Sequence, residues 1–366
     1  MIKCNICNNQ LNKIFSSNSV LAVSSDNKSI KSPLNIYKCP KCFHIQKISD
    51  NKIKTVYETY KNNDLVNGQD QIKFVNGKPF FRTDILIKTI INKLKNKKTL
   101  LDIGTGTGVF LSSCNNYFNF DMSAFDLNSR YKNKILSIKN VTNFYTNSLE
   151  ELNRKFDIIS MIHVLEHIEK PLETLKILQK KLNKNGIIII QVPSINENLN
   201  DALIYDHYSN FTKNSLFLLL SKVFTNIKFI KTEIKNEITV VIENNSTKEY
   251  YENYDFKLDF SYINTLNTYL NNINHDIYIF GTAPTSTYYA SILKDNNNFK
   301  GFLDEDILKK DKFHLDKKIY HPKEFTNIDC FIPLSLDICD YLRKKYKDIN
   351  FITTKDIEKD LTWEKK

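Results

Sequence analysis

Residues 100–108 read Leu100-Leu101-Asp102-Ile103-Gly104-Thr105-Gly106-Thr107-Gly108, an apolar run that passes straight into a glycine-rich turn. Apolar residues on either side of Asp102 suit a strand buried on both faces, as in a parallel sheet. The three glycines suit a turn whose backbone comes very close to a ligand. Val109-Phe110-Leu111 then open a helix whose N-terminal amides face that ligand. The unit predicts an α/β fold built on a doubly wound sheet. A Gly-x-Gly-x-Gly turn by itself does not choose among nucleotide cofactors. Asp102 before the turn and Asp126 at the end of the next strand (Met122-Ser123-Ala124-Phe125-Asp126) narrow the choice. Two carboxylates so placed suit a ligand with a cationic amino acid end and a ribose diol. Dinucleotide sites also set an acid on a ribose, but the Gly-x-Gly-x-x-Gly spacing they need is absent.

The rest of the chain fits around this unit. Ile85, Leu86, Ile90, Ile91 and Leu94 repeat at helical spacing and lead into the first strand. Strand and helix patterns then alternate from Thr99 to about Glu243. The polar stretch Glu243-Asn244-Asn245-Ser246-Thr247-Lys248 predicts a domain boundary, followed by a helix around Leu258–Ile273. A second strand-and-glycine unit, Asp276-Ile277-Tyr278-Ile279-Phe280-Gly281, leads into a helix at Thr287–Leu293 and further strands near Phe302, Phe331 and Phe351. With one glycine in its turn, this smaller Rossmann-like domain is expected to hold no nucleotide cofactor of its own. A chain of 366 residues accommodates two or three domains. The expected division is 1–55, 56–243 and 244–366.

Cysteine placement defines the first of these. Cys4 and Cys7 form one Cys-x-x-Cys pair, and Cys39 and Cys42 another, with a polar loop from Ser16 to Ser32 between them. Two such knuckles complete a tetrahedral site, so a structural zinc ion without a catalytic role is expected. Cys114, Cys330 and Cys339 are isolated in apolar patterns and read as buried bystanders. Apolar runs such as Gly186–Val192 are far too short to cross a bilayer, and no apolar segment follows Lys3, so a soluble cytoplasmic protein is expected. The net charge of +11 comes from lysines spread along the chain, which permits a nucleic acid partner without calling for one and equally suits an anionic small substrate.

The pattern Asp102, Gly104, Gly106 and Asp126 resembles the class I S-adenosylmethionine-dependent methyltransferases. The resemblance continues through Phe156–Ile168, which looks like their fourth strand and following turn, and through Pro171–Ile190, their next helix and fifth strand. It implies S-adenosylmethionine as cofactor, held by Asp102, Gly104, Thr105, Gly106, Asp126 and Leu127, with Asn147 and Ser148 flanking its adenine and His163 nearby. A four-cysteine module, a methyltransferase and a Rossmann-like C-terminal domain together resemble the sugar C-methyltransferases, which act on nucleotide-linked 4-keto-6-deoxy sugars. Phe280-Gly281-Thr282-Ala283, Gly301-Phe302-Leu303-Asp304 and Ile319-Tyr320-His321-Pro322 look like that family's C-terminal domain, although Pro284-Thr285-Ser286 replaces its Ala-Lys-Gly.

Ile204-Tyr205-Asp206-His207-Tyr208-Ser209-Asn210-Phe211 matches a segment where the family has a Tyr, a Glu-His pair and Ser-Tyr-Phe. The departures, Asp for Glu, Asn for Tyr and one residue fewer before His207, bear on the substrate and the atom methylated. Carbon methylation beside a ketone needs a base of near-neutral pKa and hydrogen-bond donors for the enolate. By resemblance His207 is the base, Asp206 its neighbour or a substrate ligand, and Tyr205 and His167 enolate or sugar contacts. Tyr57 or Tyr60 is expected to close the site from the connecting stretch. His163-Val164-Leu165-Glu166-His167 also matches an inverted zinc-peptidase motif, rejected because it directly follows a buried strand. The alternatives are a ribosomal RNA or other O- or N-methyltransferase, and a non-catalytic protein that has kept the fold. The sequence leaves the oligomeric state open.

Overall fold

A computed structural model describes residues 2–17, 21–48, 51–58, 60, 69–75, 78–244, 259–334 and 336–357. The segments rich in isoleucine, leucine and valine form a central seven-stranded sheet. Its strands are Thr99–Ile103, Asp121–Phe125, Val141–Tyr145, Phe156–Ile162, Leu182–Pro193, Asn226–Ile230 and Glu237–Glu243. Numbered in chain order, they lie side by side as 3-2-1-4-5-7-6. The first five are parallel, and the seventh runs antiparallel between the fifth and sixth. Ile187–Val192 is buried throughout, as a strand covered on both faces requires. The strand order reverses between the first and fourth strands, so the loops at their C-terminal ends bound the crevice where such sheets receive ligands. Helix Arg82–Leu94 carries the predicted apolar stripe inward, with Ile85, Leu86, Ile90 and Leu94 buried; Ile91 is only half-buried.

The N-terminal module is not self-contained. Strands Asn12–Ser16, Asn35–Lys38 and Ile45–Gln46 form an antiparallel sheet whose fourth member, Ser209–Asn210, comes from the segment after the fifth central strand. Within the segment expected to be a polar loop, Leu21–Val23 pairs with Ser29–Lys31 as a hairpin, which packs on helix Pro284–Ile292. The module therefore touches both other parts. Its cysteines share a core with Leu101, Ile103 and Phe211, while Phe15 and Ile36 share another with Ile263, Ile279 and Tyr289.

The third part is a six-stranded sheet containing Ile277–Phe280, Phe299–Leu303, Phe313–His314, Lys317–Tyr320, Ile328–Ile332 and Ile349–Thr353, parallel except for the short 313–318 hairpin. Its helix begins at Pro284, three residues before the expected start, because proline suits the first helical position. The helix predicted around Leu258–Ile273 spans Ser261–Asn271. Residues 245–248 of the expected boundary, and Leu258, lie outside the described residues. Among the described residues no helix is long and apolar enough to cross a membrane.

Candidate active site

Gly104, Gly106 and Gly108 all take positive φ, at 65°, 53° and 81°. A β-carbon on Gly104 would fall 2.4 Å from Val164 Cγ2, so this position has no room for a side chain. The turn is fixed by Gly104 N–H donating to Phe125 O at 2.8 Å, and Gly106 N–H donates to Asp126 Oδ2 at 2.9 Å. Asn128 N–H donates to the other Asp126 oxygen at 2.9 Å. Asp102 is buried and accepts from Ser160 Oγ at 2.6 Å, with no cation beside it in an ion pair among the described residues. Burial therefore raises its carboxyl to a pKa of about 7, against the hydrogen bonds that favour the anion. Burial likewise raises Asp126. A buried Asp102 and a half-buried Asp126 beside a close-packed glycine turn fit the ammonium end and ribose diol of S-adenosylmethionine.

A second group of side chains lies past the ends of the fourth and fifth strands. The loop 195–210 leaves the fifth strand and returns to it, since Ile195 N–H donates to Phe211 O at 3.0 Å. It brings His207 against His167, the two rings meeting edge to face with centroids 4.6 Å apart. Each histidine has its own carboxylate. His167 Nδ1 lies 3.3 Å from Asp206 Oδ2 and 3.1 Å from the Tyr57 hydroxyl. His207 Nδ1 lies 3.1 Å from Asp201 Oδ1. Burial opposes the charge on His167, but the hydrogen bond and charge of Asp206 and the charge of Glu166 outweigh it and raise the pKa to about 9. Asp206 is held ionised despite burial by His167 and by Ser25, whose N–H and hydroxyl donate to its oxygens at 2.7 and 2.6 Å.

Glu166 is fully buried, and neither carboxylate oxygen has a hydrogen-bond partner. Burial opposes its charge, while His163 at 3.4 Å and the charge of His167 keep it ionised. Glu166, His167 and His207 each offer a ligand atom within 4.8 Å of the others.

The structure thus gathers His207, Asp206, His167 and Tyr57 from three distant stretches. Tyr60 lies behind them, its ring 6.0 Å from that of Tyr57 and its hydroxyl 3.3 Å from Ser25 Oγ. Tyr205 sits elsewhere. It is buried in the core shared with the C-terminal domain, and its hydroxyl donates to Ser32 Oγ at 3.1 Å, so it points away from the histidine pair toward the N-terminal hairpin. His163, at φ 55°, turns its ring to Glu166 and to Glu237 Oε2 at 3.2 Å, a bridge between carboxylates where a cofactor contact was expected. Thr105 is buried in the glycine turn, Leu127 is 70 % exposed beside Asp126, and Asn147 and Ser148 follow the third strand, with Ser148 hydrogen-bonded to Glu150.

Three participants escaped sequence reasoning: Ser25, Asp201 and Lys47. Lys47 is buried, its Nζ donating to His207 O at 2.8 Å and to Asn210 Oδ1 at 3.0 Å. Burial lowers its pKa to about 8, against the charges of Asp201 and Asp206. The available signal was a lone lysine between Ile45 and Ile48 in Ile45-Gln46-Lys47-Ile48, five positions past a metal-type cysteine.

The four cysteines converge as expected. All four sulfurs lie within 4.8 Å of one another, with Cys4–Cys42 at 3.5 Å and Cys7–Cys39 at 3.4 Å, and none is in a disulfide. The two knuckles match, since Asn8 and Phe43, each following the second cysteine of its pair, take φ of 61° and 58°. Cys42 Sγ and backbone amides hold the Cys4 thiol below its ordinary value. A tetrahedral zinc with bonds of about 2.3 Å sets sulfurs about 3.8 Å apart, within this spread.

Residues 82–222 match a family model described as a methyltransferase domain. The chain is 26% identical over 126 residues to a tRNA U34 carboxymethyltransferase of Campylobacter jejuni, a match covering 32% of this chain and 43% of the relative. It therefore spans less than half the length of that curated relative. Among solved structures, an S-adenosylmethionine-dependent methyltransferase from Clostridium acetobutylicum is 15% identical with a TM-score of 0.37, over 44% of this chain and 89% of that one. An O-methyltransferase family protein from Burkholderia thailandensis is 12% identical with a TM-score of 0.38, over 45% and 56%. Residues 82–222 are thus similar to a methyltransferase domain, and the glycine turn and both histidines lie within that stretch.

Proposed function

We propose that this chain methylates carbon next to the ketone of a nucleotide-linked sugar, with S-adenosylmethionine as methyl donor. The observation that supports this reading is a pair of touching histidines, each set by a different carboxylate, beside the cofactor turn. Divergent environments for two titratable groups suit an acid and a base working together. His207, turned by Asp201, takes the proton from the carbon on its other ring nitrogen. His167, kept cationic by Asp206 and Glu166, donates to the oxygen on which the enolate charge develops, with Tyr57 closing that side.

Asp102, Gly104, Gly106 and Asp126 hold the cofactor, which supplies an electrophilic methyl group. Holding the enolate carbon against that group supplies much of the remaining acceleration. Zinc in the four-cysteine centre is structural on this reading, and metal analysis of the untagged chain should find one ion per molecule.

The test uses thymidine diphosphate 4-keto-6-deoxyglucose in deuterated water, with ribosomal and transfer RNA as parallel acceptors. Wild-type protein should methylate the sugar and exchange the adjacent proton. His207→Ala should bind S-adenosylmethionine normally and lose both reactions by about 100- to 10,000-fold. Full turnover in that variant removes His207 as the base. Methylated RNA with the sugar untouched favours the RNA reading, for which the named relative and the net charge of +11 speak.

A further inference from the structure

The segment that carries His207 is held from both neighbouring parts of the molecule. From the N-terminal module, Ser209 and Asn210 pair with Gln46 and Ile45, Lys47 N–H donates to Tyr208 O at 2.9 Å, and Tyr205 N–H donates to Val23 O at 2.8 Å. From the C-terminal domain, Tyr262 and Tyr289 hydroxyls donate to Asn200 Oδ1 at 2.7 and 3.1 Å, one residue before Asp201.

One side chain closes the arrangement. Lys47 Nζ donates to His207 O at 2.8 Å and to Asn210 Oδ1 at 3.0 Å. Asn210 Nδ2 donates to Asp201 Oδ2 at 2.9 Å, and the other Asp201 oxygen lies 3.1 Å from His207 Nδ1. The backbone of this histidine is thus bonded directly to one buried ammonium, and its ring faces the carboxylate that Asn210 orients, with Nδ1 at ion-pair distance but outside hydrogen-bond alignment. All four residues are at most 4 % exposed, so water does not compete for these bonds. An ammonium offers three donors and no acceptor, so its two fixed bonds leave Asn210 one orientation, with oxygen to Lys47 and nitrogen to Asp201.

We propose that Lys47 is the positioning residue for His207: through Asn210 and Asp201 it fixes the Nδ1–H tautomer of the ring and leaves the other nitrogen basic toward the acceptor. The four-cysteine module thereby enters the reaction without touching the substrate, because Lys47 extends the strand that starts three residues after Cys42. The catalytic consequence rests on the reading of His207 as base, whereas the tautomer does not.

The experiment uses the full-length zinc-loaded protein labelled with 15N-histidine, with His207→Gln assigning the signal. Long-range 1H–15N correlation should show His207 as the Nδ1–H tautomer in the wild type. Lys47→Met should give a mixture of tautomers, Asn210→Ala a smaller change of the same kind, and Lys47→Arg should restore the wild-type form in part. With the keto sugar, Lys47→Met should lose about 100-fold in kcat, the order of effect of a small misplacement, while KM for S-adenosylmethionine stays unchanged.

Should Lys47→Met fail to fold, Asn210→Ala carries the test, since it leaves the bond from Lys47 to His207 O in place. An unaltered His207 signal in whichever folded variant is read overturns the proposal. A changed tautomer, with no deuterium exchange by the wild type on any keto sugar, leaves the positioning role standing and removes the base.

Discussion

The central and C-terminal domains contain the same strand–turn–helix unit, built bond for bond alike, and only one is left open to a ligand. Gly104 N–H donates to Phe125 O, and Gly281 N–H donates to Leu303 O at 2.7 Å. Asp126 and Asp304 end the next strand in each unit, their backbone N–H groups donating to Tyr145 O and Tyr320 O. Each carboxylate accepts from the N–H two residues on, of Asn128 and Asp306.

There the likeness ends. Among the described residues, the second oxygen of Asp126 meets only the Gly106 amide. That of Asp304 meets Lys309 Nζ at 2.7 Å and the Thr282 hydroxyl at 3.3 Å, and Ser286 Oγ closes the turn by donating to Phe280 O. Among the described residues, one frame leaves a half-buried acid short of partners, and the other pairs a buried one internally. An acid already paired with lysine has little to gain from a ribose hydroxyl, which supports a buttressing role for the C-terminal domain.

Paired substitutions give the largest test of this contrast. Asp126→Ala should weaken S-adenosylmethionine binding by about 10- to 100-fold, since hydrogen bonds to a charged group contribute about 1.5–3 kcal/mol. Asp304→Ala should leave that affinity unchanged and lower only the melting temperature. Calorimetric titration of both variants decides the matter, and equal losses would break the comparison.

A smaller effect follows from Asp102. Its folded pKa of about 7 lies above the ordinary 3.8, so the ligand-free protein binds this proton more tightly than the unfolded chain does. The stability it contributes is complete below about 3.8 and is lost as pH rises toward 7. Asp102→Asn should therefore flatten the stability profile of the ligand-free protein relative to wild type across that window, measured by urea unfolding. Binding of S-adenosylmethionine should weaken as pH falls below 7, because the carboxyl then loses its charge, and the variant should show no such fall.

Much of the fold was legible in the residues. Buried strands announce themselves as apolar runs, and a turn with left-handed positions announces itself by glycine, so Leu100–Gly108 and the alternation behind it were readable. The two cysteine pairs were readable because knuckle geometry is local. Site residues were less so. Tyr205 occupies the segment its resemblance indicated, yet it faces Ser32, since a helix, strand or loop pattern does not say which way a loop side chain turns. The hairpin at Leu21–Lys31 lay hidden in a polar stretch because its partners are the C-terminal helix and the segment at Ile204, not neighbours in sequence.

By itself, then, the sequence determined the strand–turn–helix units, the glycine turn with its two acids, and the four thiols in two knuckles, all features whose cause lies within a few residues. Tertiary structure alone decided that Asp201 and Asp206 each take a different histidine, that Lys47 reaches 160 residues along the chain to His207, and that Lys309 silences Asp304 while Asp126 stays open. The physical reason is that a buried charge is settled by whatever opposite charge packing brings within about 3 Å, and the composition of its own segment does not specify that neighbour.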